Sequence, residues 1–211
     1  MIKFEAVETY GWEAAVRGMR NPKNSWNKSD SVFGVLDGCP YFGPNDMKLM
    51  ATLREAGTDH RKFLRMIVVS LDITAPLYWW KEYDTYKVGT VANSCSTMHK
   101  IAAKAFEVAD FSHEHLVGKS MAALKIVLDA LNHERDCYLA TKDKDCWWQM
   151  IQLLPTSYNQ RRTVMLNYEV LANIYKSRRN HKLDEWHAFC DWIETLPYSW
   201  LITGKEASGD E

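Results

Sequence analysis

The sequence has little net charge, no long apolar run and no glycine-rich phosphate loop. Its 26 basic and 27 acidic residues nearly cancel, giving a formal charge of −1. Because nucleic-acid phosphates attract strongly basic surfaces, this balance predicts no nucleic-acid partner. No apolar stretch reaches the roughly 18 residues that a membrane-spanning helix needs, so no membrane partner is expected. The G-x-x-x-x-G-K-[ST] and G-x-G-x-x-G patterns are absent, so neither P-loop nor Rossmann chemistry is predicted.

Closely spaced cysteine pairs are also missing. The chain has five cysteines, none of them in C-x-x-C spacing, and no secretory signal precedes them. This pattern predicts reduced thiols in a cytoplasmic protein. The five are Cys39, Cys95, Cys137, Cys146 and Cys190.

Apolar and aromatic residues are abundant instead. Hydrophobic residues make up 46% of the 211 positions, and the chain has nine tryptophans and ten tyrosines. We expect one domain over residues 1–200, followed by a flexible polar tail at 201–211. The aromatic residues indicate either a large core or oligomer interface, or stacking on a planar ligand.

Hydrophobic periodicity predicts a helix-rich fold with few strands. Strands are expected over residues 2–7 and 63–73, the second ending before Pro76. Asp46 is the expected N-cap of a helix that ends at Gly57. Together the segments indicate an α/β or α+β class. The remaining predicted helices cover residues 12–19, 77–87, 95–109, 120–138, 145–153, 159–178 and 183–194.

The C-terminal third carries the most specific pattern. A Leu-Pro step ends at Pro155, and twelve residues later Asn167 begins a series that continues with Leu171, Asn173 and Arg178. This series resembles the C-terminal signature of the flavin-dependent thymidylate synthases, the ThyX family. There the Leu-Pro step precedes an N-x-R-x-L-x-N-x-L-x-L-R helix at the same spacing.

The resemblance implies an architecture and a chemistry. It implies a central sheet wrapped by helices and a homotetramer with active sites at subunit interfaces. It also implies FAD and a pyrimidine deoxynucleotide as ligands, with hydride taken from NADPH and a one-carbon unit from methylenetetrahydrofolate. In such enzymes the cofactor performs the chemistry, and the protein supplies orientation and charge.

The family's other signature, R-H-R-x-x-S-x-N-E-x-S-x-R, is mostly missing. Its R-H-R triplet falls on residues 84–86 or 86–88, depending on where a two-residue gap is placed, and neither placement keeps an arginine. Ser94 replaces the motif glutamate and Met98 its last arginine. On the C-terminal helix, Glu169 reverses the charge of the family arginine. One arginine lost from a buried phosphate clamp costs about 2–5 kcal/mol, so these losses argue against the family's usual substrate pose.

The resemblance assigns roles to the positions that match. Nucleotide binding falls to Arg178, Ser96 and Ser94, with Arg178 as a phosphate contact. Cofactor binding falls to the amides Asn167 and Asn173, and to residues from the motif segment, residues 84–98, which aligns with the R-H-R-x-x-S-x-N-E-x-S-x-R signature. Those are Asn93 and Lys87, the latter lying in the place of the triplet. No catalytic residue and no metal ligand is assigned.

Two functions remain open at this point. The first is a divergent flavin-dependent synthase that acts on a pyrimidine deoxynucleotide. The second is an inactive oligomer of the same fold that binds a nucleotide or a protein, with the aromatic residues 78–80 and 147–148 at an interface. Two interpretations are open for Arg161 and Arg162: they supply positive charge to the site, or they are ordinary surface residues. Retained flavin would favour the first function.

Overall fold

The computed structural model of the chain describes residues 2–34 and 39–205 as a mixed fold of helices and one antiparallel sheet. This confirms the expected fold class. The strands of the described part are β1 (Lys3–Tyr10), β2 (Val68–Pro76), β3 (Thr90–Ser94) and β4 (Asn159–Asn167). Its α-helices are α1 (Trp12–Arg20), α2 (Pro44–Glu55), α3 (Leu77–Tyr83), α4 (Thr97–Lys100), α5 (Gly118–Thr141), α6 (Lys144–Leu153), α7 (Tyr168–Arg178), α8 (Asp184–Glu194) and α9 (Trp200–Thr203).

The strands are ordered β1-β2-β4-β3 in the sheet. In β2 alternate residues are buried, from Val69 to Ala75, as expected of a strand with one face in a core. The predicted start of this strand at residue 63 is wrong. Phe63 and Leu64 are adjacent and both buried, which a strand cannot achieve on one face, and they lie in a 3₁₀ turn.

The predicted helix over residues 159–178 is wrong in its first half. Residues 159–167 form β4, where Val164 and Leu166 are buried while Thr163 and Met165 are exposed. This period of two belongs to a strand. Asn167 ends the strand and caps α7, because its side-chain oxygen accepts a hydrogen bond from the Val170 amide at 3.0 Å.

The predicted helix over residues 95–109 is reduced to the four residues of α4. Its continuation is irregular, because Phe106 enters the core and its backbone is paired by a side chain instead of by a helix. The Phe106 amide donates to Asn132 Oδ1 at 2.8 Å, and Asn132 Nδ2 donates to the Phe106 carbonyl at 3.0 Å. Tertiary contacts therefore override local helix propensity here.

Asp46 is not the N-cap that the sequence predicts. Helix α2 begins two residues earlier, and Asp46 is fully buried, accepting a hydrogen bond from Arg20 Nε at 2.6 Å. Burial raises the pKa of Asp46, but hydrogen bonds from Ser31, Ser29 and Arg20 outweigh it and lower that pKa. The amides of Asn45 and Asp46 are capped by the Asp30 carboxylate at 2.9 and 3.1 Å.

The chain forms two compact units. The first consists mainly of Ile73–Thr85 and Asn93–Thr163. Its core includes Phe106, Phe111, Leu128, Leu131 and Met150. Trp79 and Trp80 of α3 have no exposed surface. The proposal that residues 78–80 suit an oligomer interface is therefore wrong for these two side chains, which pack on each other and on Tyr83.

The second unit consists of Phe4–Asp72, Tyr86–Ala92 and the chain from Val164 onward. Aromatic rings dominate its interior, with Trp12 packed edge-on against Phe42, Tyr168 and Tyr198. Leu201 and Ile202 of α9 are buried, so the expected tail does not begin at residue 201. Residues 206–211 of that tail lie outside the described part.

Cys137 and Cys146 form a disulfide within the first unit, which corrects the prediction that all five thiols are reduced. The two cysteines lie near the end of α5 and the start of α6, which form a helical hairpin. Their Cα atoms are 6.2 Å apart, inside the range that a disulfide spans. Their sequence spacing matches no common motif, so the pairing becomes evident only when α5 packs against α6 in the structure.

No helix formed by residues 2–34 and 39–205 combines the length and the apolar character that a membrane crossing requires.

Candidate functional site

The N-terminus of α7 presents the amide of Asn167. Its oxygen is occupied by the cap, so the Nδ2 group is the donor that remains. Gly89 lies against this group: a Cβ atom at Gly89 would be 3.0 Å from Asn167 Nδ2 and 3.1 Å from Val170. Gly89 also has a φ of +76°, which side chains rarely adopt. A glycine at this turn therefore allows the backbone of the 86–89 segment to lie close to the Asn167 amide.

The C-terminus of α7 presents Arg178 between two aromatic rings. The centre of its guanidinium lies 4.7 Å from the centroid of the Trp186 ring and 5.6 Å from that of Tyr86. Arg178 Nε also donates a hydrogen bond to the Tyr86 hydroxyl at 2.8 Å. The aromatic contacts and this bond hold the guanidinium in a defined orientation, as anion recognition requires.

The 86–89 segment follows one face of α7. Asn167 and Arg178 are eleven residues apart, which is about three helical turns and brings them to the same side. Gly89 contacts the Asn167 end of this face and Tyr86 the Arg178 end. The Thr90 hydroxyl donates to the Tyr86 carbonyl and closes the segment. Lys87 lies within it and is exposed.

Asn173 lies on a different side of α7, with Glu169. The buried Glu169 forms an ion pair with Arg61, whose Nε lies 2.9 Å from Oε2 and whose Nη2 lies 3.1 Å from Oε1. The same Nη2 donates to Asn173 Oδ1 at 3.4 Å. Glu169 therefore has its own arginine partner, which the sequence analysis missed. A lone arginine at position 61 offers no sequence signal, because the pair is 108 residues apart.

The motif segment ends in the first unit, where it is exposed. Asn93 and Ser94 close β3 and face solvent. Ser96 caps α4, since its hydroxyl accepts a hydrogen bond from the His99 amide at 3.1 Å. Gln160 of β4 fixes the backbone between them, with Nε2 donating to the Cys95 carbonyl at 2.8 Å. The three residues assigned by resemblance thus lie together on one short stretch.

Arg162 makes several contacts within the fold. Its Nη1 donates to Asp84 Oδ1 at 2.7 Å, and its Nε donates to Gln160 Oε1 at 3.0 Å. The guanidinium also stacks 4.2 Å from the centroid of the Trp80 ring. Arg162 is therefore not an ordinary surface charge. A role for Arg162 in contacting a ligand would require these interactions to break.

No protein-family model and no curated protein matches the sequence. Solved structures do match over nearly the whole chain. The flavin-dependent thymidylate synthase ThyX from Helicobacter pylori, complexed with FAD and dUMP, gives a TM-score of 0.69 at 17% identity, over 96% of this chain and 98% of that one. The UMP/dUMP methylase PolB from Streptomyces cacaoi, bound with 5-Br dUMP, gives 0.66 at 13% identity, over 94% and 93%.

The chain has the fold of the flavin-dependent thymidylate synthases. The likeness extends over nearly the whole length of both chains. It also gives context to the C-terminal resemblance. The ThyX-like series runs from the N-cap of α7 to its last residue, and the motif segment covers the 86–89 segment, β3 and the start of α4.

Proposed function

We propose that the chain is a divergent flavin-dependent thymidylate synthase that binds FAD and a pyrimidine deoxynucleotide for one-carbon transfer to the base. One observation carries this proposal: the match over 96% of the chain to a ThyX structure holding both FAD and dUMP. The UMP/dUMP methylase PolB, a second match bound with a halogenated nucleotide, supports the same class of substrate.

The side chains of the second unit fit a flavin. The Asn167 side chain is half-buried at the N-terminus of α7, and an added Cβ at Gly89 would lie 3.0 Å from its nitrogen. An amide donor there suits the carbonyl oxygens and hydroxyls of a flavin nucleotide. Lys87, exposed on the adjoining segment, offers a point charge for its phosphates. Asn173, on a different side of α7 with its oxygen directed to Arg61, would contact a flavin from that side and not together with Asn167.

When bound, the flavin would supply the hydride chemistry. The protein's part is to bind and orient the nucleotide. Arg178 is suited to bind an oxygen of the nucleotide, because Tyr86 and Trp186 fix its guanidinium before the ligand arrives. Ser94 and Ser96 would contact the nucleotide from the motif segment. NADPH and methylenetetrahydrofolate would be the co-substrates, and the proposed assembly is a homotetramer.

The test is product formation. Purified protein is incubated with FAD, NADPH, methylenetetrahydrofolate and dUMP, and thymidylate is measured by chromatography, with dCMP as a parallel substrate. Thymidylate formed in proportion to enzyme, and lost in an Arg178→Met variant, is the expected result. The Arg179→Met variant is the matched control, because Arg179 pairs at the surface with Asp191. A folded protein that retains no FAD and makes no methylated nucleotide would overturn the proposal.

A further inference from the structure

A cleft of about 460 Å³ opens in the first unit between α4, the end of α5 and the start of α6. Two lysines and a histidine line it, namely Lys142, Lys144 and His99. Tyr138 and Trp147 form aromatic walls. No carboxylate is among the described residues that line it, so the cleft has cationic donors and aromatic surface without an opposing negative charge. This combination suits a phosphorylated ligand that carries a planar ring.

The charge of the cleft is not evident from the local sequence, because Lys142 and Lys144 alternate with Asp143 and Asp145. The structure separates the two signs. The Asp143 carboxylate turns to cap α6 and accepts a hydrogen bond from the Asp145 amide at 2.9 Å. Lys142 adopts a left-handed backbone conformation and lies with its Nζ 5.6 Å from the centroid of the Tyr138 ring. Both lysines line the cleft, and neither aspartate does.

The walls of the cleft are held in place. Trp147 Nε1 donates a hydrogen bond to the Met98 carbonyl at 3.1 Å, which ties α6 to α4. The disulfide between Cys137 and Cys146 joins the residues that directly precede Tyr138 and Trp147. The spacing of the two aromatic walls is therefore set by a covalent bond. Such preorganisation lowers the ordering cost of binding a ligand between them.

We infer that this cleft binds the phosphate of a pyrimidine nucleoside monophosphate through Lys142 and Lys144. Met98, at the position of the last motif arginine, lines the same cleft. The two lysines thus supply, from the α5–α6 hairpin, positive charge that the motif segment has lost. The identity of the ligand rests on the proposed function; the location of the site rests on the cleft itself.

The experiment is titration calorimetry of the full chain with dUMP, deoxyuridine and inorganic phosphate. A Lys142→Met/Lys144→Met variant should bind dUMP at least about tenfold more weakly, with deoxyuridine binding unchanged, because only phosphate contacts are removed. A Lys119→Met/Lys125→Met variant is the matched control, since both residues are exposed on α5 outside the cleft. A Lys142→Arg/Lys144→Arg variant should retain dUMP binding.

Unchanged dUMP affinity in the Lys142→Met/Lys144→Met variant would overturn the inference, as would a wild-type protein that does not bind dUMP. Lysine-dependent binding of inorganic phosphate with no preference for dUMP would overturn the nucleotide assignment. FAD retention, measured separately, distinguishes the two proposals. Lysine-dependent dUMP binding without retained FAD would remove the proposed activity and support the site. Retained FAD with lysine-independent dUMP binding would support the proposed activity and overturn the lysine site.

Discussion

Helix α7 and the motif segment at residues 84–98 differ in how much of the ThyX pattern they retain. On α7, Asn167 and Arg178 match the family, and both also make structural contacts. Asn167 caps the helix, and Arg178 packs between Tyr86 and Trp186. In the motif segment, Asn93 and Ser94 match or replace motif residues and are exposed. The matching positions of α7 thus make contacts within the fold, whereas Ser94, an altered motif position, is exposed.

Glu169 is an altered position of α7 that is both buried and charged, unlike the exposed altered positions of the motif segment. A buried carboxylate is costly without a partner, and Arg61 supplies one with two contacts. The glutamate at this position is therefore paired with a residue from a distant part of the chain. Exposed motif positions carry no such requirement.

The largest effect is expected from removing the partner of Glu169. Arg61→Met should lower the free energy of unfolding by about 3 kcal/mol or more, because it leaves the Glu169 carboxylate buried and unpaired. Urea denaturation measures this loss. Arg65→Met, an exposed neighbour, is the control and should change stability by less than about 0.5 kcal/mol. Equal stability of the two variants would contradict a stabilising role for the Arg61–Glu169 ion pair.

Next in size is the loss of Arg178 as a nucleotide contact. Arg178→Met should weaken dUMP binding by about 2–3 kcal/mol, since a positioned guanidinium is removed from a charged partner. Calorimetry on the folded variant checks this, with Arg179→Met as the control. Equal weakening in both variants would show that general positive charge, and not the held guanidinium, binds the nucleotide.

Breaking the disulfide should have a comparable or slightly smaller effect on stability. A Cys137→Ser/Cys146→Ser variant should unfold about 2–3 kcal/mol more easily, because the short loop between α5 and α6 is no longer closed in the unfolded chain. Thermal unfolding with and without a reducing agent measures it. If a reductant left the stability of the wild-type protein unchanged, the disulfide would not stabilise the fold as expected.

The smallest effect is expected from the hydroxyl that orients Arg178. Tyr86→Phe keeps the ring but removes the acceptor of the Arg178 Nε hydrogen bond, so dUMP affinity should fall by about 1 kcal/mol. Stability should change little in the same variant. A loss as large as that of Arg178→Met would mean that Tyr86 itself contacts the ligand.

The sequence predicts the fold class and most of the helices, because their apolar periodicity is long and regular. It misplaces β4, where the alternation around Val164 is short and follows a charged stretch that also suits a helix. It misses the irregular segment at Phe106, which depends on the Asn132 side chain 26 residues away. The Arg61–Glu169 pair and the disulfide depend likewise on tertiary contacts that no local pattern contains.

The placement of the candidate site residues in the fold is predicted in part. The position of Arg178 on α7 follows from the C-terminal series, but its fixation by Tyr86 depends on how the 86–89 segment packs. The cleft lysines are hidden in a sequence where charges of opposite sign alternate, and only the geometry separates Lys142 and Lys144 from their acidic neighbours.

The most direct test of a flavin and nucleotide site on this chain is the visible absorption spectrum of the purified protein. The protein is saturated with FAD, separated from free FAD and then titrated with dUMP. We expect about one retained flavin per chain and a saturable change in its spectrum as dUMP binds close to it. A folded, colourless protein after removal of free FAD would contradict it.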